Sequence, residues 1–306
     1  MTAIFTTINK YIFAPVLEFF LDKVAGGSYA TAIFLFTLAI NIILIPLSIK
    51  SQKASVSQLK MKPKLDEIKK KYGDDKQKYN EAIQKLYQEG NMSMGGGCLP
   101  MIIRLVLVMS VFYLVSQPLT YLTDLDSATI TSATDAIGKV NYPQLQVIKE
   151  AFASKSGNIY EAIKGINFDF FGLDLTQQPK FSFNFSQLTG AQVKLWIIPF
   201  LSFGAAMFSS VLSMFQQRRL NPDAPSMKGM MLTMPFMSLF ISFIAPAGLG
   251  FYWACSSFIG AIIQVLVQEF FGPRKMIANE QAAFISKRAA EEKKFINSKT
   301  EKADKK

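Results

Sequence analysis

The chain has 306 residues, half of them hydrophobic and 13% aromatic, with 33 Lys and Arg against 22 Asp and Glu, a net charge of +11. Soluble chains are seldom this apolar and this basic together, and the mean hydropathy is positive at +0.23. The absence of histidine and the presence of only Cys98 and Cys255 exclude His-based acid–base catalysis, His triads, most zinc sites and a disulfide scaffold.

Taken in order, residues 1–27 hold an apolar run from Ile4 to Val24 broken by Lys10, Glu18, Asp22 and Lys23. Charge interrupting apolar residues at helical spacing predicts an interfacial amphipathic helix. A signal peptide is the alternative, against which Glu18 stands in the middle of the apolar region. Residues 28–49 contain the first of five segments apolar and long enough to cross a bilayer, Tyr29–Ile49. Residues 50–97 predict a helical hairpin: Val56, Leu59, Leu65, Ile68 and Tyr72 keep a helical period, Gly73-Asp74-Asp75 turns the chain, and Tyr79, Ala82, Ile83 and Leu86 resume the period. Composition alone reads equally as a solvated connector or as a docking arm. Gly95-Gly96-Gly97 then leads into the second span, Cys98–Gln117.

Residues 118–194 are nearly neutral, with six basic and seven acidic side chains. A helical pattern near Tyr142–Ile163 and strand-like alternation in Asn167–Leu175 and Lys180–Phe185 predict a small mixed cap. The third span, Leu195–Phe215, is followed by a short loop at 216–228, and the fourth, Gly229–Ala245, by Pro246-Ala247-Gly248, a tight turn into the fifth span, Leu249–Phe271. The tail, 272–306, is rich in Ala, Glu and Lys, and is expected to be helical at first and then disordered. Its charge suits anionic lipid or RNA, or is simply a retained extension.

Basic residues fix the orientation. Eleven lysines lie in 50–97, three basic residues in 215–228 and ten in 272–306, against two before the first span and six in 118–194. The expected topology has the N-terminus outside and the C-terminus in the cytoplasm. The fold class is therefore an all-α integral membrane protein: five transmembrane helices, an N-terminal interfacial helix, a cytoplasmic helical hairpin and a small outer cap.

One basic residue falls outside this pattern. Arg104 lies six residues into the second span, about 9 Å deep. An arginine there keeps its proton and must face water, a carboxylate such as Glu269, or the bundle interior. Asn41 lies at about 12 Å from the same face on the first span. Ser209, Ser210 and Ser213, with Ser256, Ser257 and Gln264, add uncharged polarity. They either pack helices together or line a hydrated cavity with Arg104 and Asn41. Met227, Met230, Met231, Met234 and Met237 recur every three to four residues, which suits either a lipid-facing stripe or a surface accepting varied apolar partners. Cys98 and Cys255 fall at different depths, against a disulfide. The sequence contains no phosphate-binding Gly-rich motif, ligand-spaced Cys pair or nucleophile elbow, so no enzyme activity is expected.

Several motifs, in order, resemble the YidC membrane-protein insertase family, which has mitochondrial and chloroplast relatives. They are Asn41-Ile42-Ile43-Leu44-Ile45-Pro46-Leu47; Met61-Lys62-Pro63-Lys64-Leu65 and Lys71-Tyr72-Gly73-Asp74-Asp75; Leu86-Tyr87-Gln88-Glu89-Gly90-Asn91; Gly97-Cys98-Leu99-Pro100; Phe170-Phe171-Gly172-Leu173-Asp174-Leu175; and Pro246 through Trp253 with Gln264 beyond. The resemblance covers most of residues 11–275. It differs from the family where Asn41 replaces the usual groove arginine, Arg104 replaces an uncharged residue, Ser257 replaces an asparagine, and Asn91-Met92-Ser93-Met94 replaces Asn-Pro.

The resemblance implies insertion and folding of membrane proteins without nucleotide hydrolysis or cofactor. A hydrophilic groove open to the cytoplasm would be lined here by Arg104, Asn41, Ser209, Ser213, Trp253, Ser257 and Gln264. Met101, Leu105, Val108, Met230, Met234 and Met237 would form an apolar slide. Its implied partners are nascent membrane proteins and the lipid bilayer, with the ribosome, a Sec translocon and signal recognition particle components as further candidates, and no DNA. Its implied location is the bacterial cell membrane. The alternative is a secondary transporter or anion channel with Arg104 as its site.

Overall fold

The computed structural model describes residues 2–73, 75–89, 99–181, 189–220 and 228–303, and within them the side chains other than those of 2–4, 53–60, 62, 89, 99–101, 104, 220, 228, 230, 273–274 and 294–303. Helices α1 (Thr2–Ile8) and α2 (Ala14–Phe19) are each continued by a π-helical turn, Asn9–Phe13 and Phe20–Val24, and α3 (Tyr29–Ile43) follows. Next come α4 (Ile45–Tyr72), α5 (Lys76–Glu89) and α6 (Leu99–Ser116). A run of short elements comprises α7 (Pro118–Leu122), α8 (Ser127–Ile137), α9 (Pro143–Ser154), α10 (Asn158–Ile163), β1 (Asp169–Phe170), β2 (Leu173–Asp174) and α11 (Gly190–Leu195). The last four helices are α12 (Ile197–Leu220), α13 (Lys228–Ile244), α14 (Ala247–Phe271) and α15 (Pro273–Ala303). The chain divides into two compact units, Met1–Leu44 with Met101–Ile263 and Ile45–Pro100 with Gln264–Lys306.

In the first unit the N-terminal helix explains its own irregularity. Asn9, Phe13, Leu17 and Leu21 are buried at strict four-residue spacing, whereas an α-helix repeats every 3.6 residues. The two wider π-helical turns restore the phase, so the same face stays inward from Asn9 to Leu21. Burying Leu17 or Leu21 contributes about 2 kcal/mol each. Asn9 Nδ2 donates to the Ser110 carbonyl on α6 at 2.9 Å. The opposite face mixes exposed Tyr11, Ile12 and Phe19 with Lys10, Glu18 and Asp22.

The apolar helices fall where hydropathy placed them. Gly190–Arg219 and Ala247–Lys293 are each long and apolar enough to cross a membrane, and Tyr29–Ile43 with Ile45–Gln52 makes a third if that bent pair is one span; Leu105–Ser116 and Met231–Ile244 are shorter apolar helices. The expected first span is broken within its length: α3 ends at Ile43, and Pro46, one residue into α4, starts a new helix. Among these helices α12 and α13 pack most closely. Their contact includes a buried hydrogen bond between the Ser202 and Ser238 hydroxyls at 2.8 Å and the rings of Phe203 and Phe236, 5.1 Å apart.

The cap is more helical than the sequence suggested. The predicted helix near Tyr142–Ile163 is two helices, α9 and α10, separated where Lys155 and Gly157 take positive φ. Helix α8 precedes them, with the Asp126 carboxylate accepting from Thr129 N–H at 3.1 Å as its N-cap. Of the alternation in Asn167–Leu175, only Asp169–Phe170 and Leu173–Asp174 pair, as an antiparallel hairpin across Phe171-Gly172. Lys180 and Phe181 are not in a strand, and residues 182–185 of the second predicted strand lie outside the described residues.

In the second unit, α4 packs against both α5 and α15. Asp75 caps α5, accepting from Lys78 N–H at 3.1 Å and Gln77 N–H at 3.2 Å. These bonds hold its carboxyl below the usual carboxylate range. The expected disorder late in the tail is corrected as far as Ala303, which ends a continuous 31-residue helix. Leucine-free but rich in Ala, Glu and Lys, this stretch draws on intrinsic helix propensity. Gly90 and Gly95-Gly96-Gly97 lie outside the described residues.

Candidate functional site

Helix ends carry backbone groups with no partner in their own helix, and the cap satisfies several of them. The first N–H of α3, at Tyr29, donates to Asn167 C=O at 2.9 Å, while Asn167 N–H returns to Gly27 C=O at 2.8 Å. At the start of α14, Ala247 and Gly248 N–H donate to Gln177 and Leu175 C=O at 2.8 and 2.9 Å. At the end of α13, the Phe243 and Ile244 carbonyls accept from Gln178 Nε2 at 3.5 Å and Tyr142 OH at 3.3 Å. A part-buried Gln144–Thr120 pair, with bonds of 2.7 and 3.2 Å, ties α9 to α7. Close approach depends on small residues: a Cβ on Gly248 would lie 3.2 Å from Leu175 C=O, and one on Gly27 would lie 2.3 Å from Gly165 C=O. The buried core gathers at this end, in Tyr29, Ile33, Leu114, Leu175, Ile198 and Leu249.

The predicted groove residues lie further along the same helices. Counted from the cap end, Asn41 on α3, Arg104 on α6 and Ser209 on α12 are each twelve residues along, about 18 Å, and Ser257 on α14 is ten residues along, about 15 Å. Trp253 is nearer the cap and Ser213 further from it. Asn41, Ser209, Ser213, Trp253 and Ser257 are all half-buried. Asn41 Nδ2 donates to Thr37 C=O of its own helix at 2.8 Å, which holds the amide against α3. The Arg104 side chain lies outside the described residues. Gln264 is half-buried and belongs to the second unit. Glu269, considered as a partner for Arg104, is exposed and within 3.8 Å of Lys275.

The predicted slide residues behave differently from the core. Leu105, Met234 and Met237 are exposed, and Val108 is half-buried; the side chains of Met101 and Met230 lie outside the described residues. Phe236 and Phe240 on α13 and Ile102 on α6 are exposed as well. Cys255 is a free, half-buried thiol, and Cys98 lies outside the described residues. Among the described residues no group of three His, Cys, Asp or Glu side chains is placed to hold a metal ion.

Sequence reasoning missed the backbone ties of Asn167, Leu175 and Gln177, which leave no pattern in side-chain type. It also missed Asn9, although a visible signal existed: Asn9 continues the row of Phe13, Leu17 and Leu21. Outside the membrane helices, Glu18 is the notable acid. Partial burial, then the charges of Asp22 and Asp124, raise its pKa.

Several apolar helices with exposed apolar faces, capped at one end by a strapped mixed domain, define a multi-pass helical membrane protein. The family described as 60Kd inner membrane protein matches residues 20–274, and the chain belongs to that family, whose curated members are named membrane protein insertase YidC. A Fusobacterium nucleatum relative of that name is 25% identical over 244 residues, covering 79% of this chain and 87% of the relative. A Listeria monocytogenes relative, membrane protein insertase YidC 1, is 24% identical over 304 residues, covering 96% and 83%. One from Magnetococcus marinus is 39% identical over 90 residues, covering 29% of this chain and only 16% of the relative.

Proposed function

We propose that this chain inserts and folds membrane proteins, taking hydrophobic segments of nascent chains through a groove open to the cytoplasm and along an apolar slide, without nucleotide hydrolysis. The observation that carries this reading is the asymmetry of the first unit. The cap bonds to the ends of α3, α13 and α14, while half-buried polar residues and exposed apolar faces lie further along the same helices. A polar segment entering from the open end would meet Asn41, Arg104, Ser209 and Ser257 at similar depth, and would stop below the cap. Leu105 on α6 and Met234 and Met237 on α13 offer adaptable apolar contact to the hydrophobic part of the substrate.

In this reading the cap is extracytoplasmic, five spans cross the cell membrane, the N-terminal helix lies at the outer interface, and hairpin and tail are cytoplasmic. Arg104 supplies the groove's positive charge from α6, with Asn41 beside it on α3. A fixed cation in a low-dielectric groove attracts acidic and polar substrate tails and lowers the cost of their partial desolvation. The basic hairpin and tail suit a polyanionic partner such as the ribosome.

The test is reconstitution into proteoliposomes with co-translational synthesis of a single-span membrane protein. Arg104→Ala is expected to lower insertion about tenfold, a loss near 1.4 kcal/mol in the limiting step, and Asn41→Arg in that background to restore part of it. Normal insertion by Arg104→Ala, or solute flux that depends on Arg104, contradicts the proposal and favours the anion-transport reading.

A further inference from the structure

The β1–β2 hairpin carries a feature its fold does not require. Phe171, at the first turn position, is 92% exposed and sits at φ +53, a left-handed conformation unfavourable for a bulky residue. Two-residue turns of this kind favour Asn-Gly, and the second position is indeed Gly172, at φ +80. Asp169 already holds the turn by accepting from Gly172 N–H at 2.8 Å. Asparagine would relieve the strain and remove the exposed ring, so Phe171 is disfavoured in water on both counts.

The level of Phe171 is fixed. Its neighbour Phe170 packs on Phe251, with ring centroids 4.8 Å apart, and Phe251 lies four residues, about 6 Å, into α14 from its cap end. The backbone bonds from Ala247 and Gly248 to Gln177 and Leu175 make the hairpin's base rigid there. The same end of the helices carries Phe181 and Trp196, stacked at 5.8 Å, with Trp196 Nε1 donating to Lys180 C=O at 2.9 Å. Exposed Ile197, Phe200 and Ile244 continue this band onto α12 and α13. Rings with a polar handle at the ends of apolar helices are the signature of a membrane–water boundary.

We propose that the β1–β2 hairpin is a membrane-interface anchor, with Phe171 inserted into the headgroup–acyl boundary of the cap-side leaflet beside the first turn of α14. The occupant is lipid because the tip is a single protruding ring. That is far too little surface for a stable protein contact, which needs on the order of 1,200 Å² in total, but it is continuous with an apolar band already at the membrane. The anchor holds the cap level with the helix ends it straps, and it operates whether or not the chain is an insertase.

The test is spin-label accessibility in the full chain. Phe171→Cys, in a Cys98→Ser, Cys255→Ser background, is labelled with a nitroxide and reconstituted into phosphatidylcholine–phosphatidylglycerol vesicles. Asn158→Cys in the cap and Phe240→Cys on α13 serve as aqueous and lipid references; both sites are exposed. The ratio of collisions with oxygen to collisions with a water-soluble nickel chelate is expected to be several-fold higher at 171 than at 158, approaching that at 240. A ratio equal to that at 158 overturns the anchor. Spectral broadening that grows with protein-to-lipid ratio also overturns it, in favour of a second copy of the chain. Should the labelled variant lose its thermal unfolding transition, Phe171→Trp replaces it. Its fluorescence increment over the parent is expected to be quenched by lipids brominated high on the acyl chain, and quenching by aqueous iodide alone refutes the proposal.

Discussion

The two halves of α6 differ more from each other than from other elements. Toward the cap, Val111, Leu114 and Val115 are buried in the common core, and Ser110 C=O receives the Asn9 amide. Toward the other end, Leu105 is 61% exposed and Ile102 is exposed too. The residue types are nearly the same in both halves, so hydrophobicity does not set their roles. What differs is whether helix ends and faces find partners within the protein. One half spends its apolar surface on a fixed core; the other leaves it exposed.

The sharpest way to break this comparison is one substitution made twice on one helix. Leu114→Ala, at a fully buried site, is expected to cost about 3 kcal/mol of stability. Leu105→Ala is expected to stay within about 0.5 kcal/mol while slowing insertion. Thermal unfolding in detergent checks the first and proteoliposome insertion the second; equal destabilisation would erase the distinction between the halves. Next in size, Gly27→Ala places a Cβ against Gly165 C=O at a φ of +82 and is expected to cost about 2 kcal/mol. Hydrogen exchange should then rise at Tyr29 and Asn167, whose backbone bonds flank the glycine.

The positions of the apolar helices were legible in the sequence because apolar runs of this length and the Gly and Pro breaks between them act locally. The backbone ties of residues 118–194 were not legible. Its ties to α3 and α14 run through backbone groups of Asn167, Leu175 and Gln177, and backbone donors look alike in any sequence. The break at Leu44 escaped notice because Pro46 fits the start of a helix as readily as a bend within one. The candidate groove was legible only as polar residues at matched distances along separate helices. Hydropathy marks depth, whereas which residues face one another depends on helix rotation.

Smaller effects sharpen the picture. Met234→Ser with Met237→Ser, both on exposed positions of α13, is expected to reduce insertion a few-fold and leave thermal unfolding nearly unchanged, because no packed core is lost. The slightest effect concerns Glu18. Its folded-state pKa lies above the unfolded one through partial burial and the charges of Asp22 and Asp124. Its contribution to stability is therefore fully present below the ordinary carboxylate pKa and is lost as pH rises through the raised value. Glu18→Gln should raise the Tm at pH 7 and flatten its dependence between pH 4 and neutrality, as measured by detergent unfolding across that range.

The central claim, that the half away from the cap receives substrate, is tested most directly by placing a photocrosslinking amino acid at Arg104, Met234 or Asn158 and presenting a ribosome-stalled single-span nascent chain. The account predicts adducts from positions 104 and 234 and none from 158 on the cap. Adducts from 158 alone, or insertion that proceeds with no adduct at 104 or 234, would contradict it.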